Sequence, residues 1–441
     1  MNITIVGSGY VGLVSGTCFA ECGHAVTCLD LDEKKIALLQ QGRSPIYEPG
    51  LDELLRKNIE MRRLQFTTSW DVCIASADVI FIAVGTPTSR RGNGYADMSY
   101  VYEAAQSLAL RLHRYTVIVN KSTVPVGSAR QVERLIREVN PQAEFDVASN
   151  PEFLREGAAI QDFLNPDRVV LGVSSERAWH ILQEVYRPLG LDSHRLAVTS
   201  LETAELVKYA SNAFLATKIS FINEIANLCE VVGADIQDVA RGMGLDSRIG
   251  PQFLHAGPGY GGSCFPKDTL ALIRIAQEHN APTRITEVVA EVNNAQKARM
   301  VGKIVRAFDG ACSGKTLAVL GLAFKPETDD MREAASMTIL PALTDRGMRI
   351  RVHDPVAMEE ARKHLPDLVY CQDAYDACNG ADAVCLMTEW NPYRSLDLVR
   401  MKELMKSPVF IDLRNVYDPE AMEHAGYRYV SVGRSDRDGR A

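Results

Sequence analysis

Short continuous apolar runs and helix-patterned segments alternate through the first 85 residues. Asn2–Val6, Ala25–Asp30 and Asp78–Val84 (DVIFIAV) read as strands, and uninterrupted apolar runs of this length are typical of parallel strands covered on both faces. Residues 12–22 and Lys34–Gln41 carry helical patterning between them, and Val117–Asn120, Phe145–Ala148 and Val169–Val173 predict further strands. This alternation predicts an open, doubly wound parallel sheet with helices on both faces.

From Glu202 to Val232 the strand signal stops and one helical stretch takes over. Thirty-one residues as a helix would span roughly 46 Å, longer than a small domain is wide. Its apolar character on more than one face predicts burial between domains or between subunits. More helices follow to about residue 308, and then TLAVLGLAF, RIRVHDP, AVCLMTE and PVFIDL restore the strand–helix alternation. Two internal echoes appear in the same order as the segments they copy. AVTCLDLD at 25–32 resembles RIRVHDPV at 349–356, and SADVIFIAVGTPT at 76–88 resembles GADAVCLMTEWNP at 380–392. The expected fold class is therefore α/β, with two Rossmann-like parallel-sheet domains joined by a long central helix. The expected boundaries are 1–201, 202–308 and 309–441, with a polar, disordered tail SDRDGRA at 435–441.

Composition agrees with several domains. The 441 residues are 46% hydrophobic and 24% charged, and about 150 residues per domain suggests roughly three. A net charge of −8 argues against nucleic-acid and anionic-membrane partners, which need a basic face. MNITIVGSGYVGLV lacks a basic leader, and no apolar run reaches about 18 residues. The ten cysteines form no C-x-x-C pair and have no histidines at zinc spacing, so no metal is expected. Reduced thiols in a cytoplasmic protein are the expectation, with nine cysteines filling cores and Cys264 set apart.

GSGYVG at 7–12 follows a strand and opens a helix, which is the context of a dinucleotide site. Gly7 and Gly9 permit the turn and a close approach to pyrophosphate, and Gly12 lets helix and strand pack. Tyr10 and Val11 belong to the same loop. The pyrophosphate would rest on the helix N-terminus. Asp30 ends the second strand 21 residues after Gly9, the distance expected of a carboxylate that binds the adenine ribose. Its charge favours NAD over NADP, an inference that nearby Lys35 weakens slightly. The later α/β domain opens with GLAFKPETDDMRE, without the three glycines, and is expected to bind a mononucleotide.

A second chemical signal lies at 257–269, GPGYGGSCFPKDT, ahead of a helical pattern. It places Cys264 at or near a helix N-terminus, which favours a thiolate, and Lys267 adds positive charge. GYGGSCFPKD, GSGYVGL and NPEFLREG (150–157) together resemble the UDP-glucose/GDP-mannose dehydrogenase family over nearly the whole chain. LDSRIG (245–250) and NKSTVPVG (120–127) are most similar to the branch that acts on UDP-glucose.

The resemblance implies roles for matching positions. Cys264 is the thiol that attacks an aldehyde; Lys208 and Asn212, at i and i+4 on one helix face, bind the reacting oxygens. Asp268 and Glu152 move protons and activate water, and Thr123 holds that water. Glu156 lies where cofactor and nucleophile meet, Thr86, Ser122 and Thr123 line the nicotinamide side, and Lys35, Lys267 and Arg332 contact the cofactor. The nucleotide sugar falls to Glu152, Phe153, Leu154, Arg155, Lys208 and Asn212, with Arg248, Phe253, His255, Gly257, Tyr260, Gly261, Phe324 and Lys325; Arg414 is a weaker match. The implied reaction is a four-electron oxidation of UDP-glucose to UDP-glucuronate by two NAD, through a thiohemiacetal and a thioester on Cys264. The implied assembly is a homodimer in which Arg248 completes the neighbour's site. Other readings are the same chemistry on GDP-mannose or a UDP-N-acetyl sugar, a single-step 3-hydroxyacid dehydrogenase, and a non-catalytic NAD sensor.

Overall fold

The computed structural model describes residues 1–88 and 94–435. By internal contacts the chain divides into two compact units: Met1–Ser211 with Arg274–His279, and Asn212–Ile273 with the residues from Asn280 onward.

The first unit contains an eight-stranded sheet of β1 (Asn2–Val6), β2 (Ala25–Leu29), β3 (Leu64–Thr67), β4 (Val79–Ile82), β5 (Thr116–Asn120), β6 (Phe145–Ser149), β7 (Val169–Val173) and β8 (Leu196–Thr199). The strand order is β3-β2-β1-β4-β5-β6-β7-β8. The expectation of a wholly parallel sheet is corrected at one place, because β6 and β7 pair antiparallel. The connection between them, residues 150–168, carries the helix Ala159–Leu164. The apolar runs are continuous because alternate residues feed opposite faces. Ile3, Ile5, Val79 and Phe81 enter one hydrophobic cluster, while Val6, Ile80, Ile82 and Ile118 enter another.

The second unit repeats the scheme in six strands, β9 (Thr316–Leu320), β10 (Arg349–His353), β11 (Val369–Tyr370), β12 (Ala383–Leu386), β13 (Val409–Asp412) and β14 (Arg428–Ser431). Their order, β11-β10-β9-β12-β13-β14, matches β3-β2-β1-β4-β5-β6. The two sequence echoes fall on equivalent strands, β2 with β10 and β4 with β12. Leu317, Val319 and Cys385 pack on one face of this sheet, and Ala318, Leu320 and Leu386 on the other.

Between the sheets in sequence runs a 32-residue helix, Leu201–Val232, one residue longer than its pattern predicted. Helices Ile236–Gly244, Phe265–Glu278 and Arg284–Ala307 follow it. All ten cysteines are free; eight are buried, so Cys22 joins Cys264 as partly accessible where nine core fillers were expected. Among the described residues no helix is long and apolar enough to cross a membrane. Of the tail expected to be disordered, all but Ser435 lies outside the described residues.

Candidate active site

The glycine loop joins β1 to the helix Tyr10–Glu21. Gly7 has φ of 99°, and its N–H donates to Leu29 O on the neighbouring strand at 2.8 Å. A Cβ on Gly12 would meet Gly7 O at 1.9 Å, so any side chain there would push helix and strand apart. At Gly9 nothing lies within 4 Å of a Cβ, and no side chain caps the helix that starts behind it. The loop is closed around itself at Gly7 and Gly12 and open at Gly9, where the helix N-terminus faces outward. Ser8 Oγ beside it is buried without a hydrogen-bond partner in the protein. These features fit a dinucleotide pyrophosphate.

Asp30 supports the loop as well as following β2. Its Oδ2 accepts from Ser8 N at 2.8 Å and from Lys35 Nζ at 2.9 Å, and its Oδ1 from Asp32 N at 3.1 Å. Burial pushes this carboxyl up, but Lys35 and the two amides hold it below its usual value. The second sheet carries the same device. Gly321, with φ of 93°, donates to His353 O, and Asp354 accepts from Leu322 N and Ala323 N. There Asp354 is buried and also takes Trp390 Nε1, so its carboxylate is consumed by protein donors.

Tyr10 turns its hydroxyl to Glu48, a buried carboxylate that also accepts from Gly157 N at 2.7 Å and Ala159 N at 2.8 Å. This ties the glycine loop to the end of the NPEFLREG segment. Burial and the charge of Glu48, with Glu156 adding to it, raise the phenol well above its ordinary range.

Beyond the C-terminal ends of β5 and β6 several buried charged groups gather, Lys121, Glu152, Glu205 and Lys208. Lys208 reaches from the long helix to Glu152, donating to its carbonyl at 2.7 Å and to Oε1 at 2.8 Å. Both side chains are almost sealed from solvent, at 4% and 5% exposure, which removes the screening that weakens surface pairs. Glu152 Oε2 accepts from Leu154 N at 2.6 Å. Burial pushes the Glu152 carboxyl up, yet Lys208, the Leu154 amide and Lys121 together hold it below its usual value.

A small pocket opens here, lined by Asn120, Ser122, Thr123, Ser149, Glu205 and Lys208 among others. Ser122, Thr123 and Lys208, each assigned a role by the resemblance, line this one pocket. Thr86 Oγ1 donates to Thr123 O at 2.8 Å, and Ser122 Oγ to Val84 O at 2.7 Å, which fixes the two loops. Phe153 is stacked under the Arg168 guanidinium at 3.9 Å, and Arg155 is paired with Asp162 at 2.6 Å.

In the second unit Cys264 immediately precedes the helix Phe265–Glu278, and its carbonyl accepts from Asp268 N at 2.8 Å. The thiol is partly accessible, with Ser263 Oγ 3.5 Å away. Asp268, on the first turn, is buried, with Oδ2 accepting from Asn212 Nδ2 at 2.6 Å and Oδ1 from Lys267 Nζ at 2.8 Å. The Lys267 ammonium, expected to add charge beside the thiol, is engaged by Asp268.

The loop before Cys264 is clamped along its length. Gly257 N donates to Asn223 Oδ1, Tyr260 N to Asn293 Oδ1 and Gly262 N to Arg332 O, each at 2.8 Å. A Cβ on Gly261 would lie 2.4 Å from Glu333 O, so the loop sits this deep only because glycine is there. Phe324 is beside the loop as well, and Arg414 holds its carbonyl at 2.9 Å while bonding Met387 O. Lys325 Nζ lies 5.6 Å from the Phe324 ring centre, and Phe253 adopts φ of 64°. His255 is exposed; the Arg332 side chain is mostly exposed and grips Asp330. Arg248 is 87% exposed and paired only locally, with Asp246.

Sequence reasoning passed over Lys121, Glu205 and Glu48. Glu205 is buried on the long helix and accepts from Gly127 N, Ala129 N and Ser149 Oγ; burial raises its carboxyl. Lys121 lies inside NKSTVPVG, a segment singled out for its neighbours. Glu48 had a weak signal, a lone acid before Pro49–Gly50 in an otherwise uncharged turn.

Comparison with known proteins adds the family. Models of the UDP-glucose/GDP-mannose dehydrogenase family match residues 1–190 (NAD binding domain), 202–295 (central domain) and 318–419 (UDP binding domain). A protein named UDP-glucose 6-dehydrogenase from Rhizobium meliloti (strain 1021) is 56% identical over 438 residues, 99% of this chain and 100% of its own. A solved UDP-glucose dehydrogenase from the hyperthermophilic archaeon Pyrobaculum islandicum superposes with TM-score 0.90 at 40% identity, covering 98% of this chain and 97% of that one. A UDP-D-ManNAc dehydrogenase from Pyrococcus horikoshii gives TM-score 0.85 at 25% identity, covering 99% and 100%.

Proposed function

The chain belongs to the UDP-glucose/GDP-mannose dehydrogenase family, and on that premise we propose that it oxidises UDP-glucose to UDP-glucuronate. It is an NAD-dependent oxidoreductase. The observation that carries the choice of sugar is the 56% identity, end to end, with a UDP-glucose 6-dehydrogenase, against 25% with the UDP-D-ManNAc enzyme.

NAD supplies the hydride acceptor for both oxidations. Lys208 in its neutral amine form, its proton passed to Glu152, or Asp268 through a water, takes the C6 hydroxyl proton in the first. Cys264 Sγ then adds to the aldehyde carbon, and Lys208 and Asn212 hold the oxygen of the resulting thiohemiacetal. The second oxidation leaves a thioester. Water held by Thr123 and activated by Asp268 or Glu152 cleaves it, releasing the carboxylate and restoring the thiol. The buried pairs Lys208–Glu152 and Asp268–Asn212 support this assignment, because each places an ionisable group away from solvent with its orientation fixed.

Arg248 is assigned to the partner's sugar site in a homodimer. Phe214, Phe221 and Leu228 support such pairing, because they recur at seven-residue spacing on the long helix and are 65%, 46% and 55% exposed in the single chain. Ten free thiols suit a cytoplasmic enzyme. The substrate is tested by kcat/KM across UDP-glucose, GDP-mannose and UDP-N-acetyl sugars. UDP-glucose is expected to lead; a higher value for another sugar overturns the choice.

A further inference from the structure

The cluster at the ends of β5 and β6 contains a cation with no role in the steps above. Lys121 is 4% exposed. Its ammonium donates to Asn150 Oδ1 at 3.0 Å and lies 6.0 Å and 5.9 Å from the ring centres of Phe81 and Phe163. Asn150 is itself locked in place. Its Oδ1 also accepts from Tyr186 OH at 2.5 Å, its Nδ2 donates to Val170 O at 2.9 Å, and its backbone N–H donates to Asn120 O at 2.8 Å. The direct partner of the ammonium is therefore a neutral carboxamide.

The charged groups that face Lys121 are Glu152, on the segment after β6, and Lys208, on the long helix. The Tyr186 phenol is kept neutral by burial. Two ammonium groups thus share one carboxylate. A buried cation held mainly by a dipole destabilises the fold, and a methionine of similar length would avoid that. Burial pushes the Lys121 ammonium down to about 8, against the attraction of Glu152. Packing gives no reason to keep a lysine here, whereas the chemistry next to it does.

We propose that Lys121 is a positioning residue: its ammonium supplements that of Lys208 in the field around Glu152, and its hydrogen bond to Asn150 helps to fix the turn that presents Glu152. The proposal rests on the reading of Glu152 as a proton-transfer group, but its test does not depend on turnover. Infrared difference spectra of the full chain are recorded for native protein, Lys121→Met and Lys121→Arg, each minus the same protein carrying Glu152→Gln. They report the ionisation of this one carboxyl. The midpoint is expected to rise by about one unit in Lys121→Met, the size of a lost neighbouring charge. In Lys121→Arg, which keeps the charge, it should remain near the native value. No rise in Lys121→Met, or an equal rise in both variants, overturns the proposal.

Stability gives a second readout. Because the folded-state value of Lys121 lies below its unfolded value of about 10.4, native stability rises between pH ~8 and ~10.4 as the folded protein sheds that proton first. Lys121→Met should lack this slope and melt at a higher temperature at neutral pH. A lower melting temperature there would make the ammonium part of the packing and also overturn the proposal. The acid limb of kcat/KM should follow the Glu152 midpoint. An acid limb that ignores it refutes the assigned role of Glu152 and leaves the infrared result on Lys121 standing.

Discussion

Replacing Lys208 with methionine removes one partner of the Lys208–Glu152 pair and leaves the other in place. Glu152 then keeps its buried position, the Leu154 amide at 2.6 Å and the field of Lys121, but loses two contacts of 2.7 and 2.8 Å with an ammonium. With both side chains near 5% exposure there is little screening to discount, and stranding one charge of such a pair costs about 3–5 kcal/mol. The sign of the pH dependence should also invert. Native Glu152 sits below its unfolded value, so its stabilisation is present above about pH 4.3 and is lost as pH falls through the lower folded value. In the variant burial dominates and the folded value rises above 4.3, so stability falls as pH increases from about 4.3 to the new value. Urea unfolding of native and variant chains at roughly pH 5, 6.5 and 8 measures both effects. The deficit should be smallest at the lowest pH and reach at least about 3 kcal/mol at the highest. The double variant Lys208→Met/Glu152→Gln should regain most of it, since neither charge of the pair is left without the other, and Lys121 loses the repulsion of Lys208 together with the attraction of Glu152. A deficit below about 1 kcal/mol, or one independent of pH, would refute the reasoning.

Three further outcomes are expected. A 2′-phosphate facing Asp30 costs several kcal/mol, so kcat/KM for NAD should exceed that for NADP by about 100-fold or more, and comparable values would contradict the placement of Asp30. Gly12→Ala puts a Cβ 1.9 Å from Gly7 O, which should destabilise the first unit by about 1–3 kcal/mol and weaken NAD binding at least about tenfold by calorimetry; native affinity would show that the loop tolerates the methyl group. Mixing inactive Cys264→Ala with inactive Arg248→Ala under verified subunit exchange should restore activity, because one site of the mixed dimer keeps its own Cys264 and receives an intact Arg248. No recovery would mean that Arg248 acts within its own chain.

What could be read from the sequence was whatever is periodic or local. The apolar runs of β1, β4, β5, β9 and β12 are uninterrupted because both faces of their sheets are covered, and the two echoes land on equivalent strands. Asp30 could be picked out because the glycine loop that it supports sets its distance. The strands β3, β8, β11 and β14 escaped notice. Each is only two to four residues long, and β3, β8 and β11 have exposed positions that break the apolar run. Buried charges were harder still. Lys121, Glu48 and Glu205 look like surface residues in a string of letters, since what distinguishes them is a partner 29, 109 or 78 positions away. Only folding brings Glu48 under Tyr10 and Gly157. The antiparallel pairing of β7 carries no letter of its own either, because the apolar run VVLGV reads as a buried strand in either direction.

The covalent role of Cys264 is open to one direct count, the NADH formed per molecule of UDP-glucose consumed, in the native protein and in Cys264→Ser. Two NADH and UDP-glucuronate are expected from the native protein. The serine hydroxyl is far less ionised than a thiol near neutral pH and its ester leaves poorly, so Cys264→Ser should bind NAD normally and fail to complete the second oxidation. Two NADH per sugar at the native rate from Cys264→Ser would contradict the thiohemiacetal and thioester route.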